Sequence, residues 1–164
     1  MTGVQTCALP ILQPNKVKYI APYVSLIHAV DNFKLLAEID KQAKKCGRVI
    51  PCLLQLHVAQ EESKYGFSVK ECFDFLEEGL WKDLANVQIA GIMCMASNTS
   101  DTTQIHKEFH TAYKFYLEAK EKFFPDDPAF CERSWGMSHD YPIAIEEGCT
   151  MIRVGSKIFG ERVY

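Results

Sequence analysis

The sequence predicts an α/β fold, in which a parallel sheet covered by helices forms about five of the eight strand–helix units of a TIM-type barrel. Apolar runs of strand length alternate with amphipathic stretches from residue 24 onward. These runs are almost continuously apolar, which is typical of strands buried on both faces of a parallel sheet. The chain has 164 residues, whereas a complete barrel usually needs about 250. We therefore expect a partial barrel.

Strands and helices are predicted in strict alternation. The strands are expected at residues 24–30, 49–58, 89–95, 130–137 and 151–159. The helices are expected to follow Asp31 as far as Gly47, to start at Ser68, to run from Asp101 to about Phe124, and to lie near residues 141–147. Asp31 is a candidate N-cap, and Ser68 and Glu71 have the spacing of a capping box. The long helix carries an apolar residue every third or fourth position, on one face.

Residues 1–11 are predicted to be a non-native segment that could still form a strand leading into Leu12, and residues 12–164 are predicted to be the C-terminal part of a barrel domain. They have no basic start, and their apolar stretch is short and interrupted by Pro10, so they are not a secretory signal. An in-frame translation of a DNA sequence that resembles a widely used short-read sequencing adapter reproduces these residues. We expect the segment to be non-native and Cys7 to have no functional meaning.

The composition argues against several kinds of partner. The net charge is −3 and no Lys/Arg cluster is present, which argues against nucleic acid. No run approaches the roughly 18 apolar residues of a membrane span. Seven cysteines without a CxxC pair, in a chain without a signal peptide, predict reduced thiols in the cytoplasm.

The loops after the last two predicted strands are the candidate binding site, because α/β barrels bind ligands, and phosphates in particular, at these strand ends. In the first loop, Ser134 and Ser138 supply hydroxyls, and Gly136 lets the backbone approach a ligand closely. In the second, the alternation of a strand places Arg153 and Gly155 on one face. A buried arginine favours an anionic or aromatic-nitrogen ligand. The alternative is a Gly-Ser turn in which Arg153 pairs with a nearby Glu.

The histidines are weaker candidates. His106 and His110 have helical spacing that could chelate a metal, but the glutamate between them is not at the HExxH position. We expect a solvated helix face there and no metal site. His28 and His57 lie in predicted strands and are expected to be core or rim residues. Residues 61–64 are expected to form a loop with local ion pairs.

Several spaced motifs together resemble the pyridoxal phosphate homeostasis proteins, the YggS family. The matching segments are residues 12–16 (LQPNK, similar to LQxNK), 56–67 (LHVAQEESKYGF, similar to N/HxxxEExKxG), 91–93 (GIM, similar to GLM), 134–140 (SWGMSHD, similar to S-[LM]-G-M-S-x-D) and 153–164 (RVGSKIFGERVY, similar to R-[IV]-G-[ST]-x-I-F-G-x-R-x-Y). They occur in the family's order and extend the resemblance over residues 12–164.

The resemblance implies a single barrel of the alanine racemase N-terminal kind that binds pyridoxal 5′-phosphate (PLP). Family members are regarded as carriers or regulators in vitamin B6 homeostasis, without established turnover. The residues expected around the cofactor phosphate are Ser134, Gly136, Met137, Ser138, Gly155 and Ser156. Arg153 is expected to face the pyridine nitrogen and to keep it unprotonated, which weakens the ring as an electron sink. Trp135 replaces the family's usual Leu or Met and needs extra room if it faces the helices.

Two family motifs are absent from the sequence: the V-S-K segment with the Schiff-base lysine, and the G-E-N segment that follows it. Both are expected upstream of Leu12, so we expect an N-terminally truncated fragment that binds PLP weakly or not at all. The parent is expected to be a monomer or a weak dimer. The alternatives are a fold-type III PLP enzyme of the amino-acid racemase kind, which needs a second, β-rich domain, and a phosphate-binding barrel enzyme that does not use PLP.

Overall fold

The computed structural model describes residues 7–8, 11–60 and 65–160, with only the backbone described at residues 7 and 8. The predictions for most of residues 1–11, for the loop at 61–64 and for residues 161–164 lie outside the described residues. Within the described ranges, no helix is both long and apolar enough to cross a membrane.

A six-stranded sheet forms the centre of the fold, and its strands pair in the order of the sequence. The strands are β1 (Cys7–Ala8), β2 (Leu26–Val30), β3 (Ile50–His57), β4 (Val87–Met95), β5 (Glu132–Met137) and β6 (Met151–Arg153). Every pairing is parallel, so each strand is reached by a crossover along the outer face. The prediction of a partial TIM-type barrel is confirmed, with five strand–helix units from β2 onward.

The helices cover the outer face of the sheet. They are α1 (Pro14–Ile20), α2 (Phe33–Lys45), α3 (Val69–Glu78), α4 (Thr102–Phe123), α5 (Tyr141–Glu146) and α6 (Ser156–Phe159), and a 3-10 turn spans Leu80–Asp83. The capping box is confirmed, because the Ser68 hydroxyl and the Glu71 carboxylate each accept the other's backbone N–H. The cap of α2 is Asn32 and not Asp31, since the Asn32 side chain accepts the Leu35 N–H at 2.8 Å.

The last predicted strand is shorter than expected. Strand β6 ends at Arg153, and residues 156–159 form α6. The Gly155 N–H donates to the Ser138 hydroxyl at 3.1 Å, which takes the chain out of the sheet. The Gly155 carbonyl then accepts the N–H groups of Ile158 and Phe159. A tertiary contact at Gly155 thus ends the strand and starts a helical turn.

The core is divided by the sheet into two layers. The larger layer fills the space between sheet and helices and contains Ile27, Leu54, Ile92 and the fully buried Trp135. Trp135 therefore faces the helices, and the larger layer accommodates its side chain. The smaller layer lies on the concave side, which we call the lumen, and consists of Leu26, Ala29, Leu53, Ala90 and Met93.

Candidate functional site

Arg153, the last residue of β6, is held in the lumen by acceptors on two other strands. Its Nη1 donates to the Ser134 carbonyl at 2.8 Å and to the Ser134 hydroxyl at 2.7 Å. Its Nη2 donates to the Cys94 carbonyl at 2.9 Å. Burial lowers the pKa of Arg153 from its ordinary value. The alternative in which Arg153 pairs with a glutamate is wrong within the described residues, because its acceptors there are two carbonyls and a hydroxyl.

His28 of β2 reaches the same hydroxyl from the opposite side of the lumen. Its Nδ1 lies 3.0 Å from the Ser134 oxygen. Arg153 occupies one lone pair of the Ser134 oxygen, and we assign the hydroxyl hydrogen to His28 Nδ1, which leaves the imidazole proton on Nε2. Burial, together with the charge of Arg153, lowers the pKa of His28 to about 4. The imidazole is therefore neutral at pH 7.

The Nε2 atom of His28 is buried and has no hydrogen-bond partner among the described residues. A buried donor without a partner costs about 1–3 kcal/mol. An acceptor on a ligand in the lumen would remove this cost. The sequence analysis treated His28 as a core or rim residue and did not place it in the site. The available signal was a polar residue in the middle of an otherwise apolar strand.

The two loops that were expected to bind phosphate contact each other at the rim of the lumen. The hydrogen bond from Gly155 to Ser138 joins them, and Ser156 follows directly and is exposed. The buried Asp140 carboxylate closes the first loop by accepting the Met137 N–H at 2.5 Å. We call residues 136–140 together with 155–156 the cradle.

Gly136 has a different structural role from the one expected. The residue has a φ of +90°, which disfavours any side chain. A Cβ atom at this position would lie 2.5 Å from the Cβ of Ala144 in α5. The glycine is therefore required by the close packing of α5 against β5. Its missing side chain does not by itself create room for a ligand.

The predicted site residues thus form two groups. Ser134 and Arg153 lie together within the lumen, where Ser134 is fully buried. Ser138, Gly155 and Ser156 lie at the rim, in the cradle. The hydroxyl of Ser134, which was expected at the cofactor phosphate, is engaged by Arg153 and His28. Sequence alone placed the residues on two loops but did not separate these two groups.

The two histidines of α4 contact a carboxylate. Nδ1 of His106 lies 2.9 Å and Nδ1 of His110 lies 3.1 Å from the two oxygens of Glu147. Nε2 of His106 is 3.5 Å from Glu146. His110 is exposed and His106 is half-buried, so the predicted solvated face also carries hydrogen-bonding contacts between α4 and the end of α5. The described part of the chain contains no group of three or more His, Cys, Asp or Glu side chains that could hold a metal ion.

The family model for the alanine racemase N-terminal domain matches residues 3–163. The chain belongs to this family.

Within the family, the chain is similar to curated pyridoxal phosphate homeostasis proteins. It is 36% identical to the one from Aquifex aeolicus and 34% identical to the one from Vibrio alginolyticus, over 93% of this chain in both cases. The relative from Helicobacter pylori strain J99 is 31% identical over 92% of the chain. The chain spans 65%, 63% and 64% of the length of these three relatives, in the order given.

Solved structures agree with this assignment. PipY of Synechococcus elongatus without PLP is 30% identical, with a TM-score of 0.86 over 98% of this chain and 73% of that protein. The structure of PipY with PLP bound gives a TM-score of 0.81 over 95% and 70%, respectively. Alanine racemase of Clostridium difficile has a TM-score of 0.71 at 13% identity, covering 96% of this chain and 42% of that one, and shares the fold.

Proposed function

We propose that this protein binds PLP in the lumen and serves vitamin B6 homeostasis as a non-catalytic carrier or regulator. The observation that carries the proposal is the buried Nε2 of His28, which has no partner among the described residues, beside the fixed guanidinium of Arg153. A lumen that contains a buried imidazole nitrogen without a partner and a guanidinium fixed by hydrogen bonds suits a polar aromatic ligand. The names of the relatives, and the PLP bound by PipY, supply the identity of that ligand.

The residues of the lumen and the cradle fit the two ends of PLP. Arg153 would face the pyridine nitrogen, and Ser134 would hold its guanidinium in place. The segments Gly136–Ser138 and Gly155–Ser156, with the hydroxyls of Ser138 and Ser156, would surround the phosphate. The N–H groups of Met137 and Gly155, which donate to Asp140 and Ser138, would have to exchange these acceptors for phosphate oxygens. PLP supplies an electron sink when its ring nitrogen is protonated. A guanidinium at that nitrogen opposes protonation, which favours a carrier role over an enzymatic one.

We further propose that binding by this chain is weak and non-covalent. No described lysine is buried, and the side-chain hydrogen bonds of His28 and Ser134 within the described residues involve no lysine. Two or three charge-assisted hydrogen bonds contribute roughly 1.5–3 kcal/mol each, against an association cost of at least about 4 kcal/mol. The balance corresponds to a Kd weaker than about 0.1 mM.

A racemase-like activity is the second candidate. The fold that the chain shares with alanine racemase, and with D-threonine aldolase at 11% identity and a TM-score of 0.70, is common to PLP enzymes. The contacts of Arg153 and the names of the relatives favour the homeostasis role. Incubating the PLP-loaded protein with L-alanine and following optical rotation separates the two, because a racemase abolishes the rotation and a carrier does not.

The experiment that tests PLP binding is a titration followed by Trp fluorescence and by the absorbance of PLP. Pyridoxal and glucose 6-phosphate serve as ligands that each lack one half of PLP. We expect saturable and reversible binding of PLP, weaker binding of pyridoxal, and only weak competition by the sugar phosphate, through its phosphate group. Absence of saturation by PLP, or equal competition by the sugar phosphate, contradicts the proposal. A lysine adduct at one defined position after borohydride treatment contradicts the non-covalent mode.

A further inference from the structure

We propose that Lys157 is a phosphate-binding residue of the cradle and makes the site selective for phosphorylated ligands. This inference rests on the proposed function, since it assumes that the cradle takes the phosphate of PLP. Lys157 is not among the residues that the sequence motifs assign to the site. Its position in the structure gives the reason for adding it.

Lys157 links the two loops of the cradle. It follows Ser156 directly and belongs to α6, whereas Tyr141 follows Asp140 directly and begins α5. The Nζ atom of Lys157 lies over the Tyr141 ring, 4.6 Å from its centroid. A cation over an aromatic face is attracted by the negative face of the ring. This contact directs the exposed side chain of Lys157 from the second loop toward the residue that follows the first loop.

The other charged groups near the cradle, Arg153 and Asp140, do not neutralise the charge of a phosphate bound there. The guanidinium of Arg153 has its hydrogen bonds directed to Ser134 and Cys94. Asp140 places a buried carboxylate inside the first loop, and His139 Nε2 lies 3.3 Å from that carboxylate. A phosphate monoester carries about 1.5 to 2 negative charges at pH 7, so it is repelled by Asp140.

The ammonium of Lys157 offsets this repulsion. A lysine side chain has three donors on a flexible stem, so it can move from the ring of Tyr141 to a phosphate oxygen. Pyridoxal has no phosphate and gains nothing from Lys157. The residue is therefore a determinant of specificity for the phosphorylated form.

The test uses K157M, with K157R as the conservative variant. Lys82 provides a matched control: its Nζ also lies over an aromatic ring, that of Trp81, at 5.6 Å from the centroid. Lys82 precedes β4 and so lies at the opposite end of the sheet from the cradle. Affinities for PLP and for inorganic phosphate are measured by ³¹P NMR titration, and the affinity for pyridoxal by fluorescence.

We expect K157M to weaken the binding of PLP and of inorganic phosphate roughly fivefold, as an exposed ion pair does. K157R and K82M should stay within about twofold of the wild type, and pyridoxal should bind all variants equally. The effect of K157M should shrink in about 0.5 M salt, because salt screens exposed charges.

The outcomes separate this inference from the proposed function. If the wild type binds PLP and K157M binds it equally well, the role of Lys157 is refuted and the proposed function stands. If inorganic phosphate binds in a Lys157-dependent way and PLP does not bind, the role of Lys157 stands and the proposed function falls. If the wild type binds neither ligand, both are refuted.

Discussion

The Arg153 guanidinium donates to the Ser134 hydroxyl at 2.7 Å, and the same hydroxyl lies 3.0 Å from Nδ1 of His28. This chain of three residues runs from β6 through β5 to β2, across the lumen. It fixes the orientation of the guanidinium and of the imidazole at once. The polar lining of the lumen is thus a connected unit, which makes its parts testable one at a time.

Replacing Ser134 with Ala should break this unit. The substitution removes an acceptor of Arg153 and the buried partner of His28 Nδ1, so we expect a loss of about 1–3 kcal/mol in the free energy of unfolding. Urea denaturation at pH 7 measures it. S138A is the control: Ser138 is only half-buried, and its loss should cost less, at most about 1 kcal/mol. An S134A protein as stable as the wild type contradicts the role of the hydroxyl.

The depressed pKa of His28 should make the protein acid-sensitive. The folded state keeps the imidazole neutral down to about pH 4, whereas the unfolded chain binds a proton near pH 6.5. The stability contributed by neutral His28 is therefore complete above about pH 6.5 and falls toward pH 4, by up to about 1.4 kcal/mol per pH unit.

Unfolding free energies measured between pH 7 and pH 4.5 check this expectation. The variant H28N keeps an acceptor near the position of Nδ1 but does not titrate, so its stability should fall less steeply than that of the wild type. The difference between the two proteins removes the contribution of the carboxylates. Identical pH profiles for both proteins show that His28 is not the responsible group.

Substituting Gly136 with Ala should be strongly destabilising. The added Cβ meets Ala144 at 2.5 Å, and the φ of +90° is unfavourable for alanine. We expect a loss of about 3 kcal/mol or more in the free energy of unfolding, measured by thermal or urea denaturation. G155A, in the same cradle, has no atom within 4 Å of its added Cβ and should change stability by about 0.5 kcal/mol or less. Equal effects of both substitutions would rule out the packing explanation.

Glu108 should hold the ends of two strands in place. This buried residue of α4 accepts the Ser97 N–H at 2.6 Å and the Ser97 hydroxyl at 2.7 Å. The Ser97 hydroxyl in turn accepts the Gln60 N–H at 3.0 Å. E108A leaves the N–H and the hydroxyl of the buried Ser97 without their acceptor, so we expect a loss of about 3 kcal/mol in the free energy of unfolding.

E108Q is the conservative variant. It keeps one acceptor oxygen, so its loss in the free energy of unfolding should be about half that of E108A. Hydrogen exchange of the Ser97 and Gln60 amides gives a local readout beside urea denaturation. Faster exchange at both amides in E108A supports the role of Glu108. Unchanged exchange at Gln60 indicates that Glu108 acts on Ser97 alone.

Local signals made much of the fold predictable. The capping box at Ser68 and Glu71 and the long helix after Asp101 depend on residues within one or two turns, and both are present. The prediction of the N-cap of α2 failed because Asp31 and Asn32 are adjacent and both are favoured N-cap residues. Prediction also failed where a distant group intervened: the hydroxyl of Ser138 takes up the Gly155 N–H and ends β6.

The sequence by itself determined the parallel α/β architecture and the two loops that form the cradle. It also placed Arg153 on the lumen side, because strand alternation and helical periodicity are encoded locally. Only the tertiary structure decided that His28 meets Ser134, a contact between residues 106 positions apart. The physical reason is the curl of the sheet. It brings a side chain of β2 and a side chain of β5 within hydrogen-bonding distance across the lumen, although β3 and β4 lie between these strands.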